Sequence, residues 1–143
     1  PMFGICFGHQ LMAEAFGGKV EKSDKGWGVG IDSYQMGNVE QDVLVYHQDQ
    51  VVRLPEIAKV RAHSDHCEYG ALEYDFPALS VQCHPEFTQG LVLDLLERGR
   101  SEFGDDKTNR AESQTEQAQL HNQQFAQHVV TFFQQHQRVN SGA

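Results

Sequence analysis

The amino-acid sequence predicts a layered α/β domain, and three observations carry that prediction. A Gly-flanked strand, turn and helix open the chain, five short strand-like segments follow between residues 29 and 83, and a helical period returns from Thr88. At 143 residues the chain fits one domain, long enough to hide roughly two-thirds of its unfolded surface in a single core.

Pro1–Cys6 is too apolar to alternate and reads as a short buried strand. Across His9–Phe16, Leu11, Met12, Ala15 and Phe16 recur at helical spacing, and Gly17-Gly18 supply a C-terminal stop. Strands are expected at Val29–Met36, Asp42–Tyr46, Lys59–His63, Glu68–Tyr74 and Leu79–Cys83, punctuated by Gly26-Trp27-Gly28, Pro55 and Pro77. From Thr88, the stripe Leu91, Val92, Leu95 and Leu96 predicts a helix running to about Phe103. Gly104–Glu116 is polar and charged and reads as a mobile loop or a frayed helix start. Leu120, Phe125, Val129, Val130, Phe132 and Phe133 mark a final amphipathic helix on a Gln-rich background, and Val139–Ala143 reads as a disordered tail. No internal repeat or long linker divides the chain.

Composition narrows the function classes. Eleven Lys and Arg against 20 Asp and Glu give a formal charge of −9, which opposes nonspecific binding to nucleic acid or to anionic membranes. No apolar run approaches the roughly 20 residues of a membrane-spanning helix. Residues 1–20 show no secretory signal, and 3 cysteines cannot form a fully paired disulfide framework. A reduced, cytoplasmic protein is expected.

Two motifs carry chemistry. Gly4-Ile5-Cys6-Phe7-Gly8 has the form of a nucleophile elbow with Cys at the centre. A nucleophile on a tight strand-to-helix turn crowds its neighbours two residues away, so Gly is expected to be required at positions 4 and 8. The following helix points its amides at the sulfur, favouring thiolate, and the Phe7 amide is placed to donate to an oxyanion. A small buried Cys at a Gly-rich strand end would have the same sequence. The second motif is His84-Pro85-Glu86. In extended backbone, residues two apart face one side, so Glu86 can orient the His84 imidazole and support its protonated form. A surface turn of common residues is the competing reading.

Taken together, Gly4-Ile-Cys-Phe-Gly-His-Gln10 and Val81-Gln-Cys-His-Pro-Glu86 resemble the signature motifs of class I, triad-type glutamine amidotransferases. The likeness is greatest to the stand-alone type related to the amidotransferase domain of GMP synthase. Tyr46-His-Gln-Asp-Gln-Val51 with Leu54-Pro55 is similar to a third family block near the bound glutamine. The resemblance covers Pro1–Phe87 and only loosely the C-terminal helices. It implies a flavodoxin-like layered sheet with flanking helices. Cys6 would be the nucleophile, His84 the general base and acid, and Glu86 the orienter of His84. Glutamine would be the substrate, its amide released as ammonia through a γ-glutamyl thioester. Gln10, Tyr46, His47 and Gln48 match positions that meet the substrate. An ammonia-accepting synthase domain or subunit is the implied partner, and no cofactor is implied.

Family members place several strands and a Gly-rich loop, source of the second oxyanion amide, ahead of the nucleophile. By this resemblance the chain corresponds to the C-terminal portion, with roughly the first two-fifths of the domain absent. An exposed sheet edge, self-association through it and little glutaminase activity of the chain alone are therefore expected. Two other functions fit the same residues: a noncatalytic interaction or assembly module, and a γ-glutamyl peptidase or hydrolase using the same triad.

The remaining candidates are weaker. His63-Ser-Asp-His66-Cys67 matches no strong zinc pattern, and adjacent Cys83 and His84 point to opposite faces, so no metal site is assigned. Cys67 and Cys83 read as packing residues. His9 reads as an ordinary polar residue of a first helical turn, and Trp27 as a packing residue or a brace for the active-site surface.

Overall fold

The computed structural model describes residues 1–137, so the expected tail Val139–Ala143 lies outside the described residues. The chain opens with β1 (Met2–Ile5) and α1 (Phe7–Ala15), then runs through β2 (Lys19–Lys22), β3 (Gly28–Met36), β4 (Val39–His47) and β5 (Asp49–Arg53). Next come β6 (Ala58–Ala62), β7 (Ala71–Tyr74) and β8 (Ala78–Val81). The helices α2 (Gln89–Arg98), α3 (Arg100–Phe103), α4 (Asp105–Gln117) and α5 (Asn122–Gln135) finish the described chain.

Four strands form the central sheet in the order β1-β8-β7-β6. β1 and β8 are parallel, in the register Met2↔Ala78 to Ile5↔Val81, while β7 runs antiparallel to β8 and β6. β1 is an edge strand: among the described residues nothing pairs on its outer side. Met2 of β1 and Phe7 and Leu11 of α1 are large apolar side chains that stand exposed. The ribbon β3–β4 pairs from Gly28↔His47 to Met36↔Val39, and a Gln35↔His63 bridge ties it to the end of β6.

Three apolar clusters hold these parts together. Met12 of α1 packs with Ala58, Leu72, Tyr74 and Ala78 of the sheet. Val29 and Leu44 of the ribbon pack with Val92, Leu96 and Ala111 of α2 and α4. Tyr34, Val45, Ala62 and Cys83 join ribbon to sheet. α5 lays Phe125 and Phe132 against Phe3 of β1, ring centroids 5.7 and 6.4 Å apart. No helix among the described residues is long and apolar enough to cross a membrane.

Several expectations are corrected. Gly104–Glu116 is neither loop nor frayed start but most of the 13-residue helix α4. Its buried side is Thr108, Ala111 and Thr115, residues too small or polar to register as an apolar stripe. Gly30 makes the seat: its φ is +91°, and a Cβ there would lie 2.9 Å from Ala111 Cβ. Arg100 ties the helix down, pairing with Glu97, Asp105 and Glu112 at 2.9, 3.1 and 3.4 Å. The single helix expected from Thr88 to Phe103 is split at Gly99, which caps α2 while α3 starts anew. Thr88 is the N-cap, its side chain accepting from the Leu91 amide at 3.1 Å. The strands expected to begin at Glu68 and to end at Cys83 are shorter, starting at Ala71 and stopping at Val81. β2 and β5, absent from the sequence reading, pair with each other across about 30 residues of chain, joining Val20 to Val51.

Candidate active site

The turn between β1 and α1 has the geometry its glycines foretold, with one exception. Cys6 sits at φ 51° and ψ −101°, the only positive-φ non-Gly residue among those described. Such a backbone costs on the order of 1–3 kcal/mol and persists only where the surroundings enforce it. Here the enforcement comes from both sides: Cys6 N donates to Val81 O at 2.9 Å, and Cys6 O accepts from Gln10 N at 3.1 Å. A Cβ on Gly4 would lie 2.9 Å from the Gly8 carbonyl carbon and oxygen, so Gly is required there. At Gly8 a Cβ would meet nothing within 4 Å, so the expected requirement for glycine does not extend to position 8.

The Cys6 sulfur is partly buried, and its surroundings overturn the expected preference for thiolate. Burial pushes the thiol pKa up, the Phe7 backbone amide lowers it, the Glu86 carboxylate raises it and the Gln82 amide lowers it; the net is upward. Desolvation outweighs the helix N-terminus because a buried anion loses more from water than one turn of amides returns. At neutral pH the resting group is therefore a thiol, 4.0 Å from Tyr46 O as acceptor and 3.5 Å from Gln82 Nε2 as donor.

His84 and Glu86 face one another, though not along a strand. β8 stops at Val81, and a turn closed by Phe87 N donating to His84 O at 3.1 Å brings the two side chains together. His84 Nδ1 donates to Glu86 Oε1 at 2.7 Å, so Nε2 is the ring nitrogen that Glu86 does not engage. The imidazole stacks on Phe87, centroids 3.9 Å apart and planes 3° from parallel, and His84 N donates to Leu44 O at 2.8 Å. Among the described residues Cys6 and His84 share no hydrogen bond; the sulfur is held by Tyr46 and Gln82 instead.

An open cavity of about 340 Å³ lies over the sulfur, lined by Cys6, Gln10, Tyr46, His47 and Gln48 together with Lys22, Trp27 and Asp49. Gln10 Nε2 donates to Asp49 O at 2.8 Å and to Gln82 Oε1 at 3.2 Å. Tyr46 offers the sulfur its carbonyl while its ring packs against Trp27 and Phe103. His47 is 4% exposed, donates Nδ1–H to Asp49 O at 3.0 Å, and burial lowers its pKa to about 4, so it is neutral. The Gln48 carbonyl is taken by the Ser23 amide at 2.8 Å. The structure thus gathers four of the sequence-derived residues with Cys6 around one cavity, while His84 and Glu86 pair with each other and are not among its lining residues.

Other side chains fall differently. His9, read as an ordinary first-turn residue, is fully buried; its Nδ1 meets Ser80 Oγ at 2.7 Å, and desolvation lowers its pKa to about 4. Cys67 and Cys83 lie in the core, where burial pushes the Cys67 thiol up to about 12 and Cys83 higher still. Ser64 to Cys67 is a tight turn braced by Asp32, which accepts from Ser64 Oγ at 2.6 Å. Trp27 belongs to the second apolar cluster and also walls the cavity, so both of its expected roles are visible. Gln82, Lys22 and Asp49 escaped the sequence reading. A signal for Gln82 existed: two residues before His84, it shares the side that the Leu79–Cys83 alternation assigns to His84, opposite Cys83.

Known proteins resemble this chain in sequence and in fold. Residues 1–98 match the family model for class-I glutamine amidotransferases. A glutamine-hydrolysing GMP synthase subunit of Methanopyrus kandleri is 40% identical over 101 residues, 60% of this chain and 51% of that protein. Gamma-glutamyl peptidase 5 of Arabidopsis thaliana is 30% identical over 111 residues, 68% of this chain and 44% of that protein. In three dimensions, a glutamine amidotransferase of Thermotoga maritima superimposes with a TM-score of 0.63 at 22% identity, over 81% of this chain and 56% of that one. The chain spans about half the length of the curated relatives it matches. The solved neighbour shares the flavodoxin-like α/β layering, and the family match over residues 1–98 places this chain in the class-I glutamine amidotransferase family.

Proposed function

We propose that this chain carries the glutamine-hydrolysing chemistry of an amidotransferase, with Cys6, His84 and Glu86 as its triad. The observation that carries the reading is Cys6 itself, held at φ 51° on a strand-to-helix turn with its sulfur at the floor of a cavity. Because the resting sulfur is a thiol, the first step moves its proton to His84 Nε2, the nitrogen that Glu86 leaves free. Glu86, accepting from Nδ1, supports the imidazolium that results. The sulfur attacks the side-chain carbonyl carbon of glutamine, and the Phe7 amide faces the oxyanion. Collapse breaks the C–N bond, the leaving nitrogen takes the proton from His84, and ammonia departs. Water, deprotonated by His84, then attacks the γ-glutamyl thioester; glutamate leaves and the Cys6 thiol is restored.

Gln10, Tyr46, His47 and Gln48 form the substrate wall in this reading, Gln10 by its side chain and Tyr46 by its backbone. The resemblance to a synthase subunit supports an ammonia-accepting partner, and three free cysteines suit a cytoplasmic setting. The outer side of β1, unpaired among the described residues, supports self-association or pairing with another strand. A second reading, cleavage of γ-glutamyl peptides, draws on the similarity to the Arabidopsis peptidase and breaks the same kind of bond.

The test is alkylation by a glutamine-like electrophile followed by peptide mapping. Cys6 should be labelled first, glutamine should protect it, and Cys67 and Cys83 should stay unmodified. First labelling at Cys83 would overturn the assignment, and no labelling would favour a noncatalytic module. Comparing protection by glutamine and by a γ-glutamyl dipeptide separates the two enzymatic readings.

A further inference from the structure

Gln82 occupies a position that neither motif assigns. It is 0% exposed, directly follows β8, and is fixed by its own backbone amide donating to Gly70 O at 2.8 Å. A buried carboxamide must satisfy both of its ends, and here its orientation follows from the backbone outward. Asp49 O can only accept, so the group of Gln10 that faces it at 2.8 Å is the amide nitrogen. That same nitrogen lies 3.2 Å from the Gln82 side chain, which must therefore present its oxygen. The Gln82 nitrogen is left facing the Cys6 sulfur at 3.5 Å. Turning the carboxamide over would set two donors against each other at Gln10 and an oxygen against the developing thiolate.

We propose that Gln82 is a positioning residue for the nucleophile: its carboxamide donates to the Cys6 sulfur, and Gln10, anchored on Asp49, holds it in that orientation. The proposal rests on Cys6 being the nucleophile. In the thiol state the sulfur has two neighbours, Tyr46 O to donate to and Gln82 Nε2 to accept from. Deprotonation ends the first contact and strengthens the second into a charge-assisted bond. Gln82 therefore favours the reactive form selectively, against burial and the Glu86 carboxylate, which both oppose it. The other charged or titratable groups nearby are Lys22, the Tyr46 phenol, His47 and Asp49 in the cavity wall and His84 beside Glu86. None of these makes a hydrogen bond to the sulfur among the described residues, so the Gln82 amide is the side-chain donor it depends on.

The experiment measures the pH dependence of Cys6 alkylation by iodoacetamide in the 143-residue chain, with labelling mapped by peptide. Gln82→Leu removes the donor at similar volume, and Gln82→Glu replaces it with an acceptor. Loss of a donor to the charged form should move the profile up by about one pH unit, a tenfold slower reaction near neutrality. Gln82→Glu should shift it further. Gln10→Met, at a residue lining the open cavity, frees the Gln82 carboxamide to turn over and should produce a smaller shift in the same direction. Should the Gln82 variants melt at room temperature, Gln10→Met decides alone. A folded Gln82→Leu whose profile superimposes on the wild type overturns the proposal, as does an unshifted Gln10→Met if it decides. This readout is independent of substrate. If glutamine fails to protect Cys6 the glutaminase reading falls, while the iodoacetamide profile still reports whether Gln82 acts on the sulfur.

Discussion

Alanine at position 4 and alanine at position 8 are the same chemical change at two glycines of one turn, and the structure predicts opposite signs. A Cβ on Gly4 would lie 2.5 Å from Met12 Sδ and 2.9 Å from the Gly8 carbonyl carbon and oxygen. The flexible Met12 thioether can swing aside, but the Gly8 backbone is part of the first turn of α1 and must shift as a unit. The carbon contact is about 0.6 Å short of an optimal ~3.5 Å separation, and overpacking of this kind costs about 1–3 kcal/mol. Alanine's smaller unfolded-state entropy returns about 0.4–1 kcal/mol, leaving a net loss of about 1–2 kcal/mol. For a chain of this size that lowers Tm by about 4–8 °C. Gly8→Ala meets nothing within 4 Å and sits in a helix, where alanine is favoured by about 0.5–1 kcal/mol. Its Tm should hold or rise. Thermal melts followed by circular dichroism read the stability difference. The rate of Cys6 alkylation reads whether the elbow has moved, and only Gly4→Ala should slow it. Equal destabilisation by both variants, or a higher Tm for Gly4→Ala, would refute the close approach on which the elbow argument depends.

Two further outcomes can be checked with the same protein. His9 and His47 are both held neutral by burial, with pKa about 4 against about 6.5 unfolded, so the unfolded chain binds more protons between those values. Stability should therefore fall as pH drops from about 6.5 to 4, by about 3 kcal/mol for each histidine, and level off below. Urea midpoints across that range should show the slope, and His47→Asn, whose amide can keep the Asp49 contact, should reduce it; a flat series contradicts the burial of both rings. Thr88→Ala deletes the cap that accepts from Leu91 N and should lower stability by about 1 kcal/mol, read as a drop of roughly 3–5 °C in Tm.

The sequence by itself determined what short-range geometry controls. Gly4 and Cys6 announce an elbow because the turn's crowding is local, and the spacing of Leu11, Met12, Ala15 and Phe16 announces the helix behind it. His84-Pro85-Glu86 announces a pair because a single residue separates the two groups, even though a turn rather than a strand aligns them. Tertiary structure decided the rest. Lys19–Lys22 and Asp49–Arg53 become strands only by meeting each other, since Val20 alone gives neither an alternating pattern nor a run. Residues 105–117 become a helix only because Gly30 makes room for Ala111 and Arg100 gathers three carboxylates from around it. The protonation of Cys6 follows from burial and from Glu86, 80 residues further along the chain, which together outweigh the amides of its own helix. The Asp49–Gln10–Gln82–Cys6 chain links three separate segments: the start of β5, the elbow with the first turn of α1, and the residue after β8. Periodicity and backbone strain are properties of a few consecutive residues; desolvation and hydrogen-bond partnership are sums over everything the fold brings near.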